Sequence, residues 1–198
     1  MVWKRSGVSY SLIYADPPWT FKVWGKSPES SVKTPSAHYQ TLSVSEICSF
    51  PVGEWSAKDS NLVMWVYDPM LPSALKVAEA WGFTFVTVLF RWLKTVNGQK
   101  SLFEHGEKLC FGTGYHTRGG GCEEAFLFKK GKGLPVKNHS VRKEFYANRR
   151  EHSRKPDEVR VWLTDLYGEV PRLEMFARTK VNGWDVFGNE TGKFKKTG

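Results

Sequence analysis

A chain of 198 residues fits a single hydrophobic core, and 40% apolar with 25% charged residues is the balance of a folded globular protein. No apolar run reaches the ~20 residues of a membrane helix, no long apolar leader opens the chain, and Cys48, Cys110 and Cys122 include no Cys-x-x-Cys pair. A membrane protein, a disulfide scaffold and a zinc site are therefore not indicated, and a reducing cytoplasm is expected. Lys plus Arg number 29 against 20 for Asp plus Glu, which makes nucleic acid the first partner to consider; a solvated basic surface is the plainer alternative.

The first element is a short apolar run, Tyr10 to Ala15, read as a buried strand that ends abruptly at Asp16, Pro17 and Pro18. Thr20 to Ala37 is rich in Ser, Lys, Pro and Gly and reads as a long functional loop directly after it. Ser43 with Glu46 forms a capping box that opens a short helix through about Phe50, and Asn61 to Tyr67 is the next apolar strand. Pro72 starts a helix that reaches Trp81 and stops at Gly82.

Phe83 to Leu93 reads as a strand, followed by a polar connection to about Lys108 and a glycine-dense loop from Gly112 to Gly121. Ala125 to Phe128 is a strand, Lys129 to Gly133 a basic turn, and irregular basic chain then leads to His152. Pro156, Asp157 and Glu158 open a helix to about Tyr167, with carboxylates where the helix dipole favours them. Leu173 to Ala177 is the last strand candidate, and residues 191–198 form a basic tail beyond one domain over residues 1–190. Strands alternating with helices predict a layered α/β sheet whose ligands sit beyond the carboxyl ends of its strands.

The turn Asp16, Pro17, Pro18, Trp19 suits an amine substrate. The 6-amino nitrogen of adenine is a poor nucleophile because its lone pair is delocalised into the ring, so an enzyme must place acceptors against its two hydrogens. The Asp16 carboxylate is one acceptor and the Pro17 carbonyl the natural second. Pro18 fixes the backbone and keeps that carbonyl free of a local amide donor, and Trp19 offers a flat face for base stacking. The bland alternative is an Asp-Pro turn beside a core tryptophan.

With this turn the chain resembles the adenine N6-methyltransferases that carry the Asp-Pro-Pro-Trp motif, a family including the catalytic subunit of the eukaryotic messenger-RNA adenosine methyltransferase and many compact bacterial and phage relatives. The likeness covers nearly the whole chain: His38, Tyr39 and Leu42; Arg91, Trp92, Lys94 and Thr95; Gly112 to Arg118; Ser153, Lys155, Pro156 and Asp157; Glu174 to Arg178; Gly183 to Asp185; and Gly188, Asn189 and Glu190. It implies S-adenosyl-L-methionine as cofactor and a circularly permuted Rossmann-like fold with a mostly parallel sheet flanked by helices, because the Asp-Pro-Pro-Trp strand comes first and the cofactor strand last. No metal is implied.

Carried over by position, the resemblance assigns Asp16, Pro17, Pro18 and Trp19 to the target amine and its pocket. Tyr39, Trp92 and Lys155 fall on the substrate side, and Asp16, Lys155, Arg178, Asn189 and Glu190 at the cofactor. For Tyr39 and Trp92 a core role stays open in a chain with nine tryptophans. The dinucleotide fingerprint G-x-G-x-x-G is absent, and the long glycine loop leaves Glu123 and Glu124 as alternative partners of Arg118.

The expected reaction is direct methyl transfer to an adenine that is unpaired or flipped from a duplex, with DNA favoured over RNA because the chain lacks the extensions of the messenger-RNA enzymes. The expected setting is the cytoplasm of a bacterial or phage-infected cell, with no membrane partner and room for a homo- or hetero-oligomer. A non-catalytic nucleic-acid-binding subunit and a methyltransferase for another substrate class are the alternatives.

Overall fold

The computed structural model describes residues 7–20, 41–100, 107–109, 121–150, 154–189 and 192, with the backbone alone for 96–100 and 107–109. Its strands are β1 (Tyr10–Ala15), β2 (Ser56–Val66), β3 (Thr84–Lys100), β4 (Glu107–Leu109), β5 (Cys122–Lys130), β6 (Glu144–Asn148), β7 (Arg172–Met175) and β8 (Asp185–Phe187). Its helices are α1 (Val44–Cys48), α2 (Val52–Trp55), α3 (Leu71–Ala80) and α4 (Glu158–Tyr167).

The strands form one sheet in the order β4-β3-β5-β2-β1-β7-β8, with β6 pairing onto β3. β1 is parallel to both β2 and β7, and β8 is parallel to β7. β5 turns antiparallel between β2 and β3. The mixed α/β class is as expected, and β7 against β1 sets the chain's end beside its beginning, as a permuted order requires.

The pleat sorts β1 between two cores. Ile13 and Ala15 join Leu62, Met64, Phe126 and Phe128 under α1, α2 and α3, which contribute Ile47, Val52, Trp55, Val77 and Ala78. Leu12 and Tyr14 face the other way, with Val63, Trp65, Phe90 and Trp92, under Val159, Leu163, Leu166 and Tyr167 of α4. Each buried Val, Leu, Ile, Met or Phe among them contributes about 1.5–3 kcal/mol, so both layers are held mainly by burial. The capping box of Ser43 and Glu46 is formed, and Gly82 ends the α3 region at φ 81°. No helix among the described residues is long and apolar enough to cross a membrane.

Five elements depart from the sequence reading. β3 runs on to Lys100 and pairs with β4, where a polar connection was expected; its continuation is polar because little of the sheet flanks it. β6 lies in the stretch expected to be irregular, since it pairs through β3 with only Phe145 and Ala147 turned inward and thus carries a weak apolar signal. β8 and α2 are three and four residues long, too short to show a period. The glycine loop, the segment after Thr20 and most of the basic tail fall outside the described residues.

Helix α4 is fastened to β7 by charge as well as packing. Arg160 donates two bonds to the buried Glu174 carboxylate, at 2.7 and 2.6 Å, and a third to Asp157 at 2.9 Å. Burial pushes the Glu174 carboxyl up, against the pull of Arg160, so removing the guanidinium leaves an uncompensated buried acid. Arg160→Met is expected to lower stability by about 3–5 kcal/mol in urea denaturation, and adding Glu174→Met is expected to restore part of that loss.

Candidate active site

The strand register brings distant segments to one edge of the sheet. Ala15 stands opposite Met64 and Met175, and Met175 opposite Phe187, so the chain leaves β1, β2, β7 and β8 side by side at Asp16, Tyr67, Phe176 and Gly188. β5 starts at this edge, with Glu124 opposite Val66. β3 and β6 reach it too, with Trp92 opposite Glu123 and Thr95 opposite Asn148.

At its centre the Lys155 ammonium lies 2.8 and 2.9 Å from the two Asp16 carboxylate oxygens and 3.3 Å from Glu123. Glu123 also pairs with Lys94. Lys155 lies just before α4, over the face of Trp65 at 5.7 Å, and the Trp65 indole donates to the Tyr14 hydroxyl at 2.6 Å. Burial alone would lower the Lys155 pKa, but Asp16 and Glu123 outweigh it and hold it above the ordinary lysine range. Burial likewise opposes the Glu123 charge, and Lys155 and Lys94 together hold that carboxyl below the ordinary range. Burial, helped by the nearby Glu174 and Asp16 charges and opposed by Arg160, pushes the Tyr14 phenol up, so it stays neutral and accepts from Trp65.

The turn itself corrects two expectations. Pro18 has no amide to offer, yet the next amide, that of Trp19, donates to the Pro17 carbonyl at 2.9 Å, because a proline-fixed φ folds the backbone into a three-residue turn. One lone pair of that carbonyl is thus engaged and the second is left. Trp19 does not present an open stacking face: it is 5% exposed and packs in the α1–α3 core. Its turn is stapled to the segment leading into α1 through Leu42, whose amide donates to the Pro18 carbonyl at 2.9 Å.

Trp92 is 2% exposed, donates to the Ala147 carbonyl at 2.8 Å and packs edge-on to Trp65 at 6.3 Å. The core alternative therefore holds for it, and Lys94 lies over its ring at 5.1 Å. Arg178 is half-buried just past β7, and Asn189 is exposed just past β8. Between them Phe176 takes a left-handed φ of 61°, and a side chain at Gly188 would meet the Ala177 carbonyl oxygen at 2.5 Å. The β7 and β8 ends are thus pressed together, bringing Arg178 and Asn189 to the same edge as Asp16. Tyr39, Glu190 and Arg118 lie outside the described residues.

Lys94, named only within the resembling run, and Glu123, named only as one of two candidate partners of Arg118, are the site residues to which the sequence assigns no role at the site. The structure divides the two glutamates: Glu123 joins the lysines, while Glu124 pairs with Arg91 at 2.6 Å. A carboxylate at the start of a β-rich segment facing two lysines has no local signature, because its partners lie 29 and more residues away.

The charges set a pH window. Glu123 is held below its ordinary 4.5, so its contribution is present above that value and is lost as pH falls through the lowered one. Lys155 is held above its ordinary 10.5, so its contribution is present below that value and is lost as pH rises through the raised one. Glu123→Gln is accordingly expected to show a constant stability deficit from about pH 6 to about pH 9, shrinking as the parent is acidified below about pH 4, in denaturation series across pH.

The MT-A70 family model matches residues 10–190. Among curated proteins, a Type II methyltransferase, M.MunI of Mycoplasma sp., is 30% identical over 197 residues, covering 91% of this chain and 77% of that protein. The N(6)-adenine-specific methyltransferase METTL4 of Mus musculus is 26% identical over 199 residues, covering 96% of this chain and 39% of that protein. An N(6)-adenosine-methyltransferase MT-A70-like protein of Arabidopsis thaliana is 26% identical, with 92% of this chain against 24% of its own length. With the family model matched over nearly all of its length, and its strand order, acceptor turn and charged edge in place, the chain belongs to the MT-A70 family.

Proposed function

We propose that this MT-A70 protein methylates the 6-amino nitrogen of adenine in DNA, with S-adenosyl-L-methionine as the methyl donor. One observation carries the reading: the Asp16 carboxylate is clamped by Lys155 at 2.8 and 2.9 Å, yet keeps 28% of its side chain exposed at the sheet edge. A carboxylate has about four acceptor positions, so the ammonium leaves room for an amine hydrogen. The remaining lone pair of the Pro17 carbonyl takes the second hydrogen.

With both hydrogens held, the amine nitrogen is oriented before any bond forms, and that positioning supplies most of what the residues need to contribute. No strong base is required, because the nitrogen becomes acidic once it carries the methyl group and a positive charge, and its surplus proton leaves afterwards. Lys155 and Glu123 keep the carboxylate from turning away. An adenine inside a duplex cannot reach a sheet edge, so the base is extruded or unpaired when it binds.

The donor set fits the cofactor. S-adenosyl-L-methionine carries a methyl group on a positively charged sulfur and presents an amine, a carboxylate and ribose hydroxyls. Asp16 suits the amine, Arg178 the carboxylate or the hydroxyls, and Asn189 with Glu190 the hydroxyls and adenine. Trp19 and Trp92 act from the core by holding the turn and the β3 edge. Tyr39 is assigned to the substrate side. DNA is favoured over RNA because a bacterial Type II methyltransferase is among the relatives, at 30% identity.

The test incubates the protein with methyl-labelled S-adenosyl-L-methionine and matched DNA and RNA oligonucleotides, then identifies modified nucleosides by mass spectrometry. N6-methyldeoxyadenosine is expected. In Asp16→Ala it should fall by about a hundredfold or more while the protein stays folded at the assay temperature, with a lowered thermal midpoint because Lys155 loses its nearer carboxylate. Label confined to RNA would overturn the choice of polymer, and undiminished transfer by Asp16→Ala would overturn the mechanism.

A further inference from the structure

The described cations include two contrasting groups. Arg91, Lys94, Arg150, Arg154, Arg160 and Arg172 all pair with carboxylates and so build the fold. Arg142 and Lys143 before β6, and Arg149 after it, are exposed and pair with no carboxylate among the described residues. Between them stands Tyr146, 61% exposed, among the most exposed large hydrophobic side chains described and the most exposed aromatic.

The strand explains the arrangement. β6 pairs with β3 through residues 144 to 148, and Phe145 and Ala147 turn into the α4 core. Glu144, Tyr146 and Asn148 therefore share the opposite face, and all three are exposed. An aromatic on a solvent face with no apolar cover is costly for folding alone, and the flanking charges are what that face would show a polyanion. One charge opposes this: Glu144 lies on the same face, and its carboxylate is partly matched by Arg91 at 3.8 Å.

β6 also points at the site. Asn148 stands opposite Thr95 and accepts its hydroxyl at 2.8 Å, which sets the end of the strand at the sheet edge that Asp16 leaves. Two residues on, Arg150 donates to the Lys155 carbonyl at 2.9 Å, and Lys155 holds Asp16. At ~3.3 Å per residue, Tyr146 lies roughly 7 Å along the strand from Asn148.

From this geometry we infer that β6 is a nucleic-acid track: Arg142, Lys143 and Arg149 take phosphates of the substrate strand, and Tyr146 stacks on a base neighbouring the target. Cations at both ends of a strand with an exposed aromatic between them suit an unpaired nucleic-acid strand, because phosphates supply sequence-independent affinity and every base has a face to stack. The inference rests on the nucleic-acid reading above and extends it to a surface.

The test measures binding of a labelled single-stranded DNA and of a duplex by fluorescence anisotropy from low to moderate salt, with methyl transfer followed in parallel. Four proteins are compared: the parent, Tyr146→Ala, the triple variant Arg142→Ala/Lys143→Ala/Arg149→Ala, and a control of equal charge loss, Lys58→Ala/Lys76→Ala/Lys132→Ala. Tyr146→Ala is expected to weaken single-strand binding about tenfold, with Tyr146→Phe restoring it. The triple variant is expected to flatten the slope of log affinity against log salt by about two, the control by much less. Unchanged thermal midpoints show that the variants fold.

Equal losses in the control and triple variants, or parent-like binding by both Tyr146→Ala and the triple variant, overturn the track while leaving the methyltransferase reading in place. Binding that follows the prediction without methyl transfer upholds the track and overturns the activity. A parent that binds no nucleic acid overturns both.

Discussion

The site depends on one ammonium group shared between two carboxylates. Lys155 touches Asp16 and Glu123 at 2.8 to 3.3 Å in a setting where its side chain is only 9% exposed. A lone lysine so buried would tend to lose its proton, and two carboxylates so close would tend to share one. Each tendency cancels the other, and Lys94 supplies the second cation that the pair of acids requires. The result is a fixed carboxylate at the end of a central strand, the group that the proposed mechanism uses as its acceptor.

The rest of the fold keeps that ammonium in place. Lys155 stands just before α4, and α4 is anchored from beneath by the buried Arg160–Glu174 pair and from the side by Asp157, which holds Arg150, Arg154 and Arg160 together. From the other side, Trp65 covers Lys155 and bonds to Tyr14, two residues before Asp16. Displacing α4 would therefore move the cation, and with it the acceptor. The opposite layer acts on the turn instead, through Trp19 in the α1–α3 core and the Leu42 staple. Two cores thus meet at one residue, one steering its charge and the other its backbone.

Much of this was legible in the chain because strong local signals coincide with the site. The apolar run into Asp16, the capping box at Ser43, the proline start of α3 and the acidic start of α4 all lie where their residues indicate. β6 and β8 escaped because short or half-covered strands show little periodicity. The roles of Trp19 and Trp92 were harder still, since an indole in a pocket and an indole in a core look alike in sequence; their burial decides it. Lys94 and Glu123 are joined only by the pairing of β3 with β5, a non-local fact that no spacing reveals.

Whether the Lys155 ammonium fixes the Asp16 acceptor is read from single-turnover methyl transfer by Lys155→Met at saturating cofactor and nucleic acid. The rate constant is expected to fall by about a hundredfold with nucleic-acid affinity kept, as when a preorganised contact is loosened. A parent-like rate constant under the same saturation would contradict it.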